Sequence, residues 1–144
     1  MIEFNAILHP TDFSEISKYA LPYAIEFAKK YNARLDILHV LELPYGAISL
    51  ADEAMRSAQE SLRALIPQKQ REGIEIVPII KRGKASEEIV KVATDRGTDL
   101  IVLATHGHSG LEHALLGSTA ERVVRKAPCP VLTIRNPGRG IARS

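Results

Sequence analysis

The sequence predicts a single α/β domain: a doubly wound, five-stranded parallel sheet with helices on both faces, a Rossmann-like architecture. Three observations carry this. Five short runs rich in Leu, Ile and Val alternate along the chain with segments whose apolar residues recur at helical spacing. The alternation has no internal repeat and no linker, and strand–helix–strand succession calls for parallel strands with right-handed crossovers. The chain has 144 residues, 45% hydrophobic and 25% charged, which is enough for one core burying about two thirds of the unfolded surface.

The elements follow in order. Ala6 to Asp12 (AILHPTD) is a short apolar run closed by Pro and Asp, and Leu21, Ala24, Ile25 and Ala28 then mark one face of a helix. Pro22 lies inside that pattern, removes one backbone donor and is expected to bend the helix. Arg34 to Leu43 reads as a second strand, followed by a long amphipathic helix through Ala51, Ala54, Met55, Ala58, Leu62, Leu65 and Ile66, with Pro67 disturbing its end. Gly73 to Gly83 is a third strand. Pro78 cannot donate to a ladder, which places this strand at an edge or makes it irregular. Ala85, Ile89, Val92 and Ala93 give a third helix ending at Gly97, and Asp99 to Thr105 is the most continuous apolar run, as expected of a strand buried on both faces. Leu116, Ala120, Val123 and Val124 mark the last helix, and Pro130 to Arg135 the fifth strand. The domain is therefore set at residues 1–135, with 136–144 as a flexible tail.

Composition narrows the function. Lys and Arg total 19 against 17 Asp and Glu, with the signs interspersed, so no basic stripe of the kind nucleic acid requires is present. Cys129 has no partner for a disulfide and lies between Pro128 and Pro130, reading as a small buried residue in a reducing compartment. The start, MIEFNAILHP, carries Glu3 and no cationic region, and no apolar run reaches the roughly 18 residues of a membrane span. A cytoplasmic protein with no membrane association is expected.

In doubly wound sheets, ligands lie outside the carboxyl ends of the strands. That rule singles out Pro10-Thr11-Asp12 after the first strand, His39 to Leu43 at the end of the second, and Thr105 onward after the fourth. In the last of these, Gly107 ends a strand and Gly117-Ser118-Thr119 opens a helix, whose unpaired N–H groups suit a phosphate. The same residues also fit simple turns, with Ser118 or Thr119 as an N-cap, and spacing alone does not choose between the two. Asp12 has no acidic neighbour and strand three ends in Lys-Arg-Gly, so a phosphate-accepting receiver site is disfavoured against ribose contact or capping. His106, His108 and His113 lack the flanking cysteines or carboxylates of a metal site. Leu111 spoils a nucleophile elbow in GHSGL, and no lysine follows Gly117 as a Walker loop requires. His9 and His39, inside apolar strands, read as satisfied core or edge histidines.

From Ala104 the chain runs A-x-x-G, nine residues, then G-S, and this resembles the nucleotide-binding pattern G-x-x-G-(nine residues)-G-S/T of the universal stress protein family. ILHPTDFSE, LDILHVLE and the stretch TDLIVLATHGHSGLEHALLGSTAERVVRKAPCPVLTI extend the likeness over nearly the whole chain. The resemblance implies strand order 3-2-1-4-5, a homodimer paired along the fifth strand, and a role in stress response with bound ATP or a related adenine nucleotide, with or without Mg²⁺. It places Thr11, Asp12 and Val40 at the ribose and adenine, and Ala104, His106, Gly107, Gly117, Ser118 and Thr119 around the phosphates, with Pro10 and Leu103 completing the set. Ala104 departs from the pattern, standing where the family has its first glycine. No general base and no Mg²⁺ carboxylate cluster stands near the phosphates, which disfavours an ATP hydrolase, although Asp12 could reach a metal through water.

Overall fold

The computed structural model describes residues 1–44, 46, 48–66, 73–106 and 116–135. Its elements are β1 (Ala6–Pro10), α1 (Glu15–Tyr31), β2 (Arg34–Leu41), α2 (Ile48–Leu65), β3 (Ile76–Arg82), α3 (Ala85–Asp95), β4 (Leu100–Ala104), α4 (Ser118–Lys126) and β5 (Val131–Ile134). The five strands form one parallel sheet in the order β3-β2-β1-β4-β5. The fold class is that read from the sequence pattern, and the strand order is that implied by the family resemblance.

Two clusters of buried side chains fill the two faces. Alternation along each strand sends Ile7, Leu35, Ile37, Leu100 and Val102 to one face, where α1 and α2 pack through Ala24, Ile25, Ala28, Leu62 and Ile66. Leu8, Leu38, Ile101 and Leu103 go to the other, under Ile89, Val92 and Ala93 of α3 and Ala120 and Val123 of α4. β1 and β4 are buried at every position, as continuous apolar runs covered on both faces must be. The connections after β1 and β4, adjacent strands, leave toward opposite faces, and this divergence opens a crevice at the carboxyl edge.

Local chemistry sets the ends. Ser14 caps α1 with its hydroxyl accepting from Ser17 N–H, and Asn32 ends it in the left-handed region at φ 53, where Asn is tolerated. The helix runs unbroken through Pro22, which sits on the exposed face where water can satisfy the carbonyl its ring leaves unpaired. β3 is an edge strand and Pro78 is exposed on it. Some boundaries differ from the sequence reading. β2 stops at Leu41 rather than Leu43, β3 starts at Ile76 because Gly73 turns with φ +83, and Leu116 precedes α4. Val124, placed on the apolar face of α4, is 45% exposed; Ala120 and Val123 alone bury that short helix. Pro67 and the tail 136–144 lie outside the described residues.

Candidate functional site

At the carboxyl edge, on the face covered by α3 and α4, lies a cleft of about 410 Å³. Pro10, Thr11 and Asp12 line it from β1, Val40 from β2, Leu103, Ala104 and His106 from β4 and its exit, and Gly117, Ser118 and Thr119 from the start of α4. The three segments singled out by topology thus share one cavity. Gly107, with Gly110, His108 and His113, lies outside the described residues. Glu42 and Thr105 lie inside the segments that sequence reading singled out, without a contact assigned to them; Ser17 was not included, nor were the α3 residues Ala85 and Ile89. The last two could have been found from the fold, since α3 and α4 cover the same sheet face.

The β1–α1 turn is fixed by its own hydrogen bonds. Thr11 N–H donates to Leu38 C=O at 2.8 Å, closing the ladder with β2. Thr11 Oγ1 accepts from Phe13 N–H at 3.1 Å and from Ser17 Oγ at 2.9 Å, so its own proton is what it can offer to the cleft. Asp12 Oδ1 accepts from Ser14 N–H at 2.9 Å, a local turn rather than a helix cap, since Ser14 caps α1. Phe13 adopts φ 64, a conformation costing a bulky residue about 1 kcal/mol or more, and its ring lies on His39 with centroids 4.4 Å apart. His39 Nδ1 in turn donates to Thr11 C=O at 2.9 Å.

Beside this turn His9 is fully buried, with Nδ1 donating to Val102 C=O at 2.9 Å and Nε2 without a partner among the described residues. Only half of the expected satisfaction is met. Burial pushes its pKa from 6.5 down to about 4, partly opposed by the Val102 hydrogen bond and by the charge of Asp12.

The cleft has two distinct polar ends. Leu38 C=O faces β1 and Leu41 C=O accepts from Gly83 N–H on the β3 side. Parallel strands alternate in this way, so Val40 turns its N–H and C=O to the β1 side, past the end of β1. An extended donor–acceptor pair of backbone is thereby left at the cleft. At the other end, Gly117 is the N-cap of α4 at φ −68, ψ 167 with no side-chain cap, so Ser118 and Thr119 stand in the first turn and neither hydroxyl is used as a cap. Gly117 N–H donates to Thr105 C=O at 2.7 Å, and a Cβ there would sit 3.3 Å from that oxygen and 3.5 Å from His106 Cα. The glycine is favoured by tight space rather than by its φ. His106 Nδ1 lies 3.1 Å from Thr105 Oγ1. Among the described residues no group of three His, Cys, Asp or Glu could hold a metal ion, and no helix is long and apolar enough to cross a membrane.

Comparison with known proteins follows the same lines. A model of the universal stress protein family matches residues 3–135. Universal stress protein MJ0531 of Methanocaldococcus jannaschii is 35% identical over 142 residues, covering 93% of this chain and 84% of that one. The solved structure of MJ0577, from the same organism, is 30% identical and superposes with a TM-score of 0.85 over 95% of this chain and 99% of that one. At 19% identity, an Arabidopsis thaliana universal stress protein family protein solved with AMP bound shares the fold, with a TM-score of 0.63 over 93% of each chain.

Proposed function

This chain belongs to the universal stress protein family, and we propose that it binds ATP or a related adenine nucleotide at the carboxyl edge of its sheet, acting in stress response as a cytoplasmic homodimer. The observation that carries the reading is the pairing of two unlike ends in one cleft: a strand edge at Val40 beyond the end of β1 and, at Gly117, a helix N-terminus without a side-chain cap among the described residues. Adenine presents an acceptor at N1 beside an amino donor at C6, which complements the N–H and C=O of Val40. The N–H groups of the first turn of α4, with the Ser118 and Thr119 hydroxyls, suit phosphate oxygens at the helix's positive end. Between them, Thr11 offers a hydroxyl proton and Asp12 a carboxylate to a ribose. That a protein of this fold was solved with AMP supports the size and chemistry of the ligand. Mg²⁺ would enter with the phosphates, with Asp12 as the carboxylate on the β1 side of the cleft.

Titration calorimetry tests the reading. ATP is expected to bind saturably, and Gly117→Val to weaken binding by about tenfold or more, because its branches would press on Thr105 C=O and shift the start of α4. Absence of heat with ATP, ADP and AMP at millimolar concentration would contradict it.

A further inference from the structure

We propose that Glu42 is a specificity-determining residue of this cleft: its carboxylate closes the N-terminus of α3 and makes that end a subsite for a 6-aminopurine rather than for phosphate. The inference rests on the nucleotide reading above, which already sets the base and its direction, and adds the residue that selects them.

Two helices bring their N-termini to the same cleft, α3 through Ala85 and α4 through Gly117, Ser118 and Thr119. Each such terminus carries roughly half a positive charge and attracts an anion. Were the two alike, a nucleotide could enter with its phosphates toward either. They are not alike. The N-cap of α3, Lys84, makes no side-chain cap, and Glu42 serves in its place from beyond the end of β2, its Oε1 accepting from Ala85 N–H at 2.5 Å. A full negative charge therefore already occupies the position a phosphate would take at α3. The N-cap of α4 is a glycine with no side chain to fill that position. One helix N-terminus in the cleft thus already holds a carboxylate, beside Lys84 and Arg82, and the other has no side-chain cap, so a nucleotide is held with its base at the first end and its phosphates at the second.

The same carboxylate bears on the base. Glu42 also lines the cleft, two positions beyond Val40, the residue whose backbone edge faces it. An ionised carboxylate is an acceptor only, so it suits an exocyclic amino group at purine C6 and opposes the carbonyl oxygen that hypoxanthine and guanine carry there.

The experiment compares AMP with IMP, which differ at that group and in the N1 proton, on the wild type and on Glu42→Gln. Glutamine keeps an oxygen for Ala85 N–H, removes the charge and adds an amide donor. The wild type is expected to prefer AMP by about tenfold or more, and Glu42→Gln to narrow that ratio several-fold, chiefly by gaining affinity for IMP. A second variant, Glu42→Ala, uncovers α3, and titration with inorganic phosphate is expected to shift the Ala85 amide resonance in that variant and not in the wild type. An AMP-to-IMP ratio unchanged in Glu42→Gln overturns this inference and leaves the nucleotide reading standing. A wild type that binds neither nucleotide overturns both.

Discussion

Ala104 stands where the family pattern has its first glycine, and its surroundings set what the extra methyl group touches. Among the described residues the non-glycines with positive φ are Phe13 and Asn32, so Ala104 keeps the extended backbone open to any L residue. Its neighbour Leu103 belongs to the core under α3 and α4, whereas Ala104 belongs to the core on the α1 face. The methyl group therefore points away from the cleft, and only backbone faces a ligand. Ala104→Gly is expected to change ATP affinity by less than about tenfold, or ~1.4 kcal/mol. Ala104→Leu should act on the core instead, costing about 1–3 kcal/mol by overpacking against α1, read as a lowered Tm. His9 makes a second prediction. Its pKa is about 4 in the fold and 6.5 unfolded, so well above pH 6.5 both states are neutral and the residue has no pH effect. As pH falls below 6.5 the unfolded chain takes up a proton that the folded one refuses, and stability drops until about pH 4. Urea unfolding should show a loss of about 2 kcal/mol from this source between pH 8 and 5, absent in His9→Gln.

Among the elements, α3 is held to the sheet by a buried carboxylate. Asp36, fully buried in β2, takes both Nε and Nη2 of Arg34 at 3.0 Å, and Nε and Nη2 of Arg96 at 2.8 and 3.0 Å; Arg34 Nη2 also donates to Arg96 C=O. The Asp36 carboxylate holds the Arg96 pKa above its ordinary value. Arg96 is the C-cap of α3, whose other end lines the cleft through Ala85 and Ile89, so this fork fixes one wall of the cleft. Asp36→Ala is expected to cost about 3 kcal/mol and to raise amide exchange in α3, since it leaves two guanidiniums face to face. This fork also shows where sequence reading stops. The strands, helices and carboxyl-edge loops were legible because each is signalled by local period or by turn residues, as at Leu21-Ala24-Ile25-Ala28 and Pro10-Thr11-Asp12. Asp36 with Arg96, and Glu42 with Ala85, are pairs 60 and 43 residues apart whose meeting depends on the crossovers, and nothing in either neighbourhood announces the partner. Val124 was misplaced for a related reason: on a helix of nine residues, two buried positions are enough to dock it.

For the molecule as a whole, the two edges of the sheet differ. β3 carries Pro78, Lys81 and Arg82, all exposed, which blunts it against further pairing. β5 has no charge within Val131–Ile134, and the bonds Ile101 N–H to Pro130 C=O and Thr105 N–H to Ile134 C=O show that even-numbered residues face β4. Val131 and Thr133 therefore turn their N–H and C=O outward, away from β4, where among the described residues no further strand follows and a second copy could pair. Light scattering at micromolar concentration should report about twice the 15.8 kDa chain mass. Thr133→Pro, which removes an outward donor without touching the ladder to β4, should shift that mass toward the monomer with the fold intact. A wild type that stays monomeric would refute the pairing. The central claim, that an adenine nucleotide spans the cleft from Val40 to the start of α4, is tested most directly by following backbone amide resonances during titration with ATP. Saturable shifts at Val40, Ser118 and Thr119 with a common midpoint are the predicted result; unmoved amides at those positions, or shifts confined to another surface, would contradict it.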